Sequence, residues 1–385
     1  MPARFSARAL SLQPFLAMEV MERALEMEAQ GEKVLHLEIG EPDLSPPPAA
    51  VEACVAALQR GETQYTDSRG LLELRQAISR DAARRHGVEV DPNRVLVTAG
   101  TSGAMLLVFS LLIEPGSEVV IGTPHYPCYP NFVRAWGGVP VFVPLDPEAG
   151  YALAPERVQE ALTSRTCAVV VASPANPTGA IQSEANIRGL SQLGVPLISD
   201  EIYDGLVYDG ARVFSALNGP ADSVFVLDGF SKRYAMTGFR LGWVVAPEAA
   251  LRPLQVLQQN LFISANRFVQ HAGIAALAEG EACVEGMRER YAKRRDLLVT
   301  GLRGLGFRVP QSPPGAFYVF ADARAFGSDS RRLAFEILER AQVGVTPGID
   351  FGAAGEGWLR FCYAASEETL ALALERLARV LPELR

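Results

Sequence analysis

Val224-Phe225-Val226-Leu227-Asp228-Gly229-Phe230-Ser231-Lys232 runs an apolar strand directly into a lysine, and six other segments share the strand's character. Residues 95–97, 118–121, 139–143, 168–171, 196–199 and 241–245 are short, rich in valine, isoleucine or leucine, and apolar on both faces. Stretches of helical periodicity alternate with them from about residue 94 to 246. Strands buried on both faces and alternating with helices predict an α/β fold, a mostly parallel seven-stranded sheet covered by helices. In such sheets ligands collect beyond the carboxyl ends of the strands. The residues that follow each strand are therefore the ones to read for function.

The flanks read differently. An amphipathic helical pattern over 15–30 ends at Gly31 and precedes a short strand at 34–38. A long helix at 281–304 leads to strands near 317–321 and 358–363 and helices at 330–341 and 366–382. Pro-Pro-Gly at 313–315 and the glycine-rich stretch 344–357 read as loops. The expected organisation is a large domain over 48–285 and a smaller α+β domain built from 1–47 and 286–385.

Composition excludes several classes. Hydrophobic residues make up 49% and charged residues 21% of 385, the balance of a globular protein with a sizeable core. A net charge of −8 argues against a nucleic-acid surface. The densest basic group, residues 288–295, has acids mixed in at helical spacing and reads as a solvated helix face. Five widely spaced cysteines without a CxxC pair, and four dispersed histidines, suggest neither a metal site nor a disulfide framework. A reducing, cytoplasmic setting is the simplest expectation. No segment approaches the ~18 apolar residues of a membrane span, and the N-terminus makes a poor signal peptide.

Positive charge is carried almost wholly by arginine; the lysines are Lys33, Lys232 and Lys293. A guanidinium stays protonated, whereas a desolvated lysine amine can lose its proton and attack a carbonyl. Lys33 and Lys293 sit in polar, charged surroundings, which leaves Lys232 as the candidate nucleophile. Asp200 ends the strand at 196–199 and begins Asp200-Glu201-Ile202-Tyr203. A carboxylate beside a buried sheet is costly unless it meets a cation or caps a turn. Thr98-Ala99-Gly100-Thr101-Ser102-Gly103-Ala104 links a strand to an apolar helix. Its small residues suit an anion at a helix N-terminus, although a plain cap at Thr101 or Ser102 explains it as well. Arg240 lies eight residues after Lys232 and would complement a phosphate bidentately. Asn176, in Ser173-Pro174-Ala175-Asn176-Pro177-Thr178-Gly179, is held extended by the following proline, which can aim its amide. Each feature alone has an ordinary structural explanation. Together they supply phosphate donors, an acid, an amide and a Schiff-base lysine, which is what pyridoxal 5′-phosphate requires.

The set Asn176-Pro177-x-Gly179, Asp200-Glu201-x-Tyr203, Ser231-Lys232, Gly238-x-Arg240 and Arg360 resembles, in order, the class I pyridoxal-phosphate-dependent aminotransferases of the aspartate aminotransferase superfamily (fold type I). The resemblance runs from Ile39-Gly40-Glu41-Pro42-Asp43 to Trp358-Leu359-Arg360-Phe361. It implies that Lys232 bonds the cofactor, Asp200 pairs with the pyridine nitrogen, and Asn176 and Tyr203 bond the phenolic oxygen. Tyr126 would stack on the ring. Gly100, Thr101, Ser102, Ser231 and Arg240 would hold the phosphate, together with Tyr65 from a partner subunit, implying a homodimer with shared active sites. Arg360, Asn176 and the backbone at Gly40 would take the substrate α-carboxylate. The implied activity is ping-pong transfer of an amino group between an α-amino acid and a 2-oxo acid. Donors on this reading are aspartate, aromatic or aliphatic amino acids, with 2-oxoglutarate as acceptor.

One departure stands out. Members often place serine three residues before the lysine, where this chain has Gly229. The lost phosphate hydrogen bond is worth on the order of 1–2 kcal/mol if nothing replaces it. Two rival readings remain at this stage. A C–S β-lyase on the same fold would release pyruvate and ammonia without an acceptor oxo acid. A ligand-sensing module would need a DNA-binding domain, for which the roughly forty residues ahead of the resemblance are too few. The segment Leu12-Gln13-Pro14-Phe15-Leu16 reads either as an apolar lid over the site or as an anchor for the N-terminal arm.

Overall fold

A computed structural model describes residues 5–384; the outermost residues of the two terminal segments lie outside it. All seven expected strands form one sheet. Its order is Val95–Thr98, Gly242–Val245, Val224–Gly229, Leu197–Asp200, Thr166–Ala172, Glu118–Thr123 and Val139–Pro144. Every neighbouring pair is parallel except those made by Gly242–Val245, which runs antiparallel on both sides. The reason is local. A parallel return needs a long crossover, but residues 230–241 hold only the short turn Thr237–Phe239. The chain therefore doubles back, and this loop carries both Lys232 and Arg240.

The strands read as apolar on both faces because both faces are covered. Val169, Val171, Leu197 and Val226 pack into one layer of core, and Ala168, Val170, Ile198 and Phe225 into the other. Val139–Pro144 is the exception: it is an edge strand with Val139 and Phe142 exposed, and its two prolines suit an edge.

The second unit is built on an antiparallel sheet in which Trp358–Cys362 lies between Thr346–Pro347 and Tyr318–Asp322. Leu35–His36 pairs in parallel with Val343–Gly344, which ties the N-terminal segment to the C-terminal part. The stretch 344–357 is not the plain loop its glycines suggest. It contains Thr346–Pro347 and two tight turns, Gly348–Phe351 and Ala353–Gly355. The glycines there serve close packing, since a Cβ at Gly348 would lie 2.0 Å from the Gly355 carbonyl oxygen.

The helix Glu281–Leu305 crosses residue 285, so the proposed boundary between large and small units falls inside a continuous helix. Its basic cluster is not simply a solvated face. Arg294 and Arg295 are buried and pair with Asp43 at 2.9 Å and Asp209 at 2.7 Å. Those partners lie some 250 and 86 residues away in sequence, so local spacing gives no sign of them. Among the described residues no helix is long and apolar enough to cross a membrane.

Candidate active site

Parallel strands that end together bring their following residues together, and here they surround one cavity of about 250 Å³. Lys232, Asp200, Tyr203, Asn176, Tyr126, Thr101, Ser102, Ser231, Arg240, Gly40 and Arg360 all line it. Gly100 lies just behind, against the Arg240 guanidinium. Tyr65 does not reach this cavity and is 76% exposed.

Lys232 Nζ donates to the Gly40 carbonyl at 2.6 Å. Burial lowers its pKa to about 8, far below the ordinary lysine range. Asp200 is buried, and burial pushes its carboxyl up despite two hydrogen bonds. Tyr129 Oη donates to it at 2.6 Å and the Ile202 amide at 3.2 Å, so it both closes a turn and presents charge to the cavity.

The anion cradle is assembled by close backbone approach. The helix Gly100–Leu112 begins at Gly100, and its N-cap residue, Ala99, offers no side-chain cap. Thr101 and Ser102 therefore lie in the first turn and are not caps, which leaves first-turn N–H groups for a ligand. Gly100 has φ +72, and a Cβ there would lie 2.7 Å from an Arg240 nitrogen. A Cβ at Gly242 would lie 2.8 Å from the Thr101 nitrogen. Gly229 faces Gly242 across the antiparallel pair, and its Cβ would meet the Leu241 carbonyl at 3.0 Å and Gly242 Cα at 3.1 Å. A side chain there would need the neighbouring backbone to give by a few tenths of an ångström, and Ser231 is the nearby hydroxyl that lines the cavity.

Arg360 is 1% exposed, on the central strand of the small sheet. It donates to Asn176 Oδ1 at 2.9 Å, to Thr346 Oγ1 at 3.0 Å and to the Glu38 carbonyl. With Oδ1 occupied, the Asn176 amide keeps its NH₂ available as a donor. The Arg360 guanidinium lies 4.4 Å over the Tyr318 ring. Tyr318 Oη in turn bonds Tyr203 Oη at 2.6 Å. A Cβ at Gly40 would collide with that Tyr318 hydroxyl at 2.0 Å, so glycine is required where the backbone meets it.

Sequence reasoning missed Tyr129, Tyr318 and Gly242. Tyr129 had a signal, since it sits three residues after Tyr126 in the same short segment. Tyr318 and Gly242 had none that a single sequence carries.

Among the described residues, no carboxylate forms an ion pair with Lys232, Arg240 or Arg360, and no cation pairs with Asp200. A group with metal-ligand chemistry, His86, Glu201 and Asp204, lies elsewhere. Its donors are already engaged: Asp204 pairs with Arg85, and Glu201 accepts from Ser199 Oγ and the Ala216 amide, each at 2.8 Å.

Residues 32–377 match the family described as aminotransferase class I and II. A (5-formylfuran-3-yl)methyl phosphate transaminase of Methanocaldococcus jannaschii is 38% identical, covering 98% of this chain and 99% of its own. An aspartate/prephenate aminotransferase of Thermus thermophilus is 39% identical, covering 98% of both chains. The solved structure of a Thermus thermophilus aspartate aminotransferase with maleate superposes with a TM-score of 0.94 at 39% identity, covering 98% of this chain and all of that one.

Proposed function

The chain belongs to the class I and II aminotransferase family, and on that premise we propose that its cavity holds pyridoxal 5′-phosphate and a substrate α-carboxylate. It is an amino-acid aminotransferase on the fold of its relatives. One observation carries the reading of the site. Among the described residues, three cations without a carboxylate partner and one buried acid without a cation meet at one cavity, and for the buried Arg360 and Asp200 that isolation is costly until a ligand completes it.

Each charge has a matching group. Arg240 and the N–H groups of Thr101 and Ser102 would hold the phosphate. Asp200 would keep the ring nitrogen protonated. Asn176 and Tyr203 would bond the phenolic oxygen, and Tyr126 would lie against the ring. When bound, the cofactor supplies an electron sink for a bond broken at the substrate's α-carbon. Arg360 grips the α-carboxylate and so orients the Cα–H bond toward Lys232. With a pKa near 8, roughly a tenth of the Lys232 amine is neutral at pH 7, against less than about one part in a thousand for an ordinary lysine. That amine takes the Cα proton at Nζ and returns it.

Supplying single amino acids to purified protein and following the visible absorbance, with and without an oxo acid, tests the reading. Amino transfer that requires an oxo acid for turnover is expected. Pyruvate and ammonia released without one would identify a lyase instead.

Gly100→Ala tests the cradle. The new methyl group meets Arg240 at a backbone conformation that favours glycine. Pyridoxal phosphate affinity, measured by equilibrium dialysis, should fall at least about tenfold, one lost charge-assisted hydrogen bond. Unchanged affinity would place the phosphate elsewhere.

A second copy of the chain completes the site on this reading. Tyr65 is exposed and does not line its own cavity, and Val51, Val55 and Leu58 form an exposed apolar stripe on the helix Pro48–Gln59. Sedimentation should give twice the 41.5 kDa chain mass. A monomer would remove Tyr65 from the site.

A further inference from the structure

We infer that the amino donor carries an apolar side chain, and that the start of the N-terminal helix, with Phe15 foremost, walls the subsite that receives it. The inference rests on the cavity being an aminotransferase site and names the substrate class of that site.

Charge is the first ground. Of the cavity's cations, Lys232 carries the amine chemistry, Arg240 belongs to the anion cradle and Arg360 to the α-carboxylate. Among the described residues, none of this chain's cations at its own cavity remains for a second carboxylate on the substrate, which would have to draw its cation from the second copy. A buried carboxylate with no cation is strongly disfavoured, whereas an apolar side chain needs none.

The second ground is the wall itself. Phe15, Ala17 and Met18 line the cavity together with Ile39 and Met105. The Phe15 ring packs edge-on against Tyr126 at 6.1 Å, and Tyr126 packs edge-on against Tyr129 at 5.3 Å. Ile39 adjoins Gly40, whose carbonyl takes Lys232 Nζ. The apolar surface is thus continuous with the residues that hold the reacting groups.

The third ground is that this wall is fixed. Gln13 and Asn131 bond reciprocally, amide to carbonyl, at 3.0 Å. The Asp350 carboxylate accepts from the Leu16 and Ala17 amides at 2.9 and 3.3 Å, capping the helix Leu16–Ala29 from outside. The next residue does the same for the opposite wall: the Phe351 carbonyl accepts from the His125 amide at 3.0 Å, just ahead of Tyr126. The Phe351 ring lies 5.1 Å from the Arg360 guanidinium. One short turn therefore sets Phe15 and Tyr126 in register with the carboxylate-binding arginine. The segment 12–16 is an anchor and a wall at once. A carboxylate side chain placed there would find an acid, Asp350, behind the wall.

Equilibrium binding tests this without turnover. Calorimetric titration of the cofactor-loaded protein should show 3-phenylpropanoate binding at least about tenfold more tightly than succinate, the gain from filling an apolar pocket. Phe15→Ala should cut that preference at least about fivefold, while propanoate, too short to reach the wall, keeps its affinity within about twofold. Half-reactions followed by absorbance should rank phenylalanine and leucine above aspartate. Tighter binding of succinate, or a preference unmoved by Phe15→Ala, overturns the apolar subsite and leaves the aminotransferase reading standing. Failure of all three acids to bind, with no half-reaction from any amino acid, overturns both.

Discussion

Lys232→Ala loses turnover by at least about a thousandfold, the size of a nucleophile and proton carrier removed together. The expectation follows from where the amine sits. Its Nζ is held at 2.6 Å by the Gly40 carbonyl, and the cavity wall keeps water from stabilising its charged form. Neither Lys33 nor Lys293 can substitute, since both lie exposed and outside the cavity. The cradle of Arg240 and the Gly100–Leu112 helix start is untouched, so pyridoxal phosphate should still bind the variant. Borohydride should then no longer fix the chromophore to the chain. Turnover within about tenfold of the parent would end the assignment of Lys232.

The same amine makes a pH prediction. Its pKa in the folded protein is about 8, below the ordinary lysine value, because burial disfavours the charged form. Between the two values the unfolded chain binds more protons than the folded one. Stability contributed by this group therefore rises with pH from about 8 towards the unfolded lysine value near 10.4, and Lys232→Ala removes that rise. In the cofactor-free protein, acylation of Lys232 should reach half its limiting rate near pH 8. A midpoint at the ordinary lysine value would show that the amine is solvated.

How much of this was legible in the sequence depended on whether the cause was local. The strands were legible because burial on both faces leaves valine-rich runs, and the polar residues after them lie where strand ends must converge. Asp200, Lys232 and Asn176 were read in this way, directly from their place after a strand. Gly229 was legible as a departure but not as a consequence. The backbone of Leu241 and Gly242 packed closely against it appears only once the two strands pair antiparallel. Tyr318 was invisible for a similar reason. It reads as one more aromatic in a buried strand, and its hydroxyl acquires meaning from Tyr203, 115 residues earlier. The basic cluster at 288–295 misled because helical spacing reports a face but not what covers it. Asp43 and Asp209 come from distant segments to pair with Arg294 and Arg295.

Arg360→Ala raises the Michaelis constant for amino acids by roughly thirtyfold or more, the effect of removing about 2 kcal/mol or more of charge-assisted binding. Arg360 is the buried cation whose protein acceptors are all neutral: Asn176 Oδ1, Thr346 Oγ1 and the Glu38 carbonyl. They satisfy its hydrogens without cancelling its charge, which leaves the guanidinium to an incoming carboxylate. The substitution also strips three acceptors of their donor, so a general loss of structure must be told apart from a lost contact. An amine lacking the α-carboxylate separates the two. It gains nothing from Arg360 in the parent, so its rate should change by less than about threefold in the variant. Arg360→Lys should recover part of the affinity through charge alone, short of the parent because an ammonium cannot bind a carboxylate through the planar fork. Equal losses for amino acids and for the simple amine would show that Arg360 holds the two sheets together and that another group takes the carboxylate.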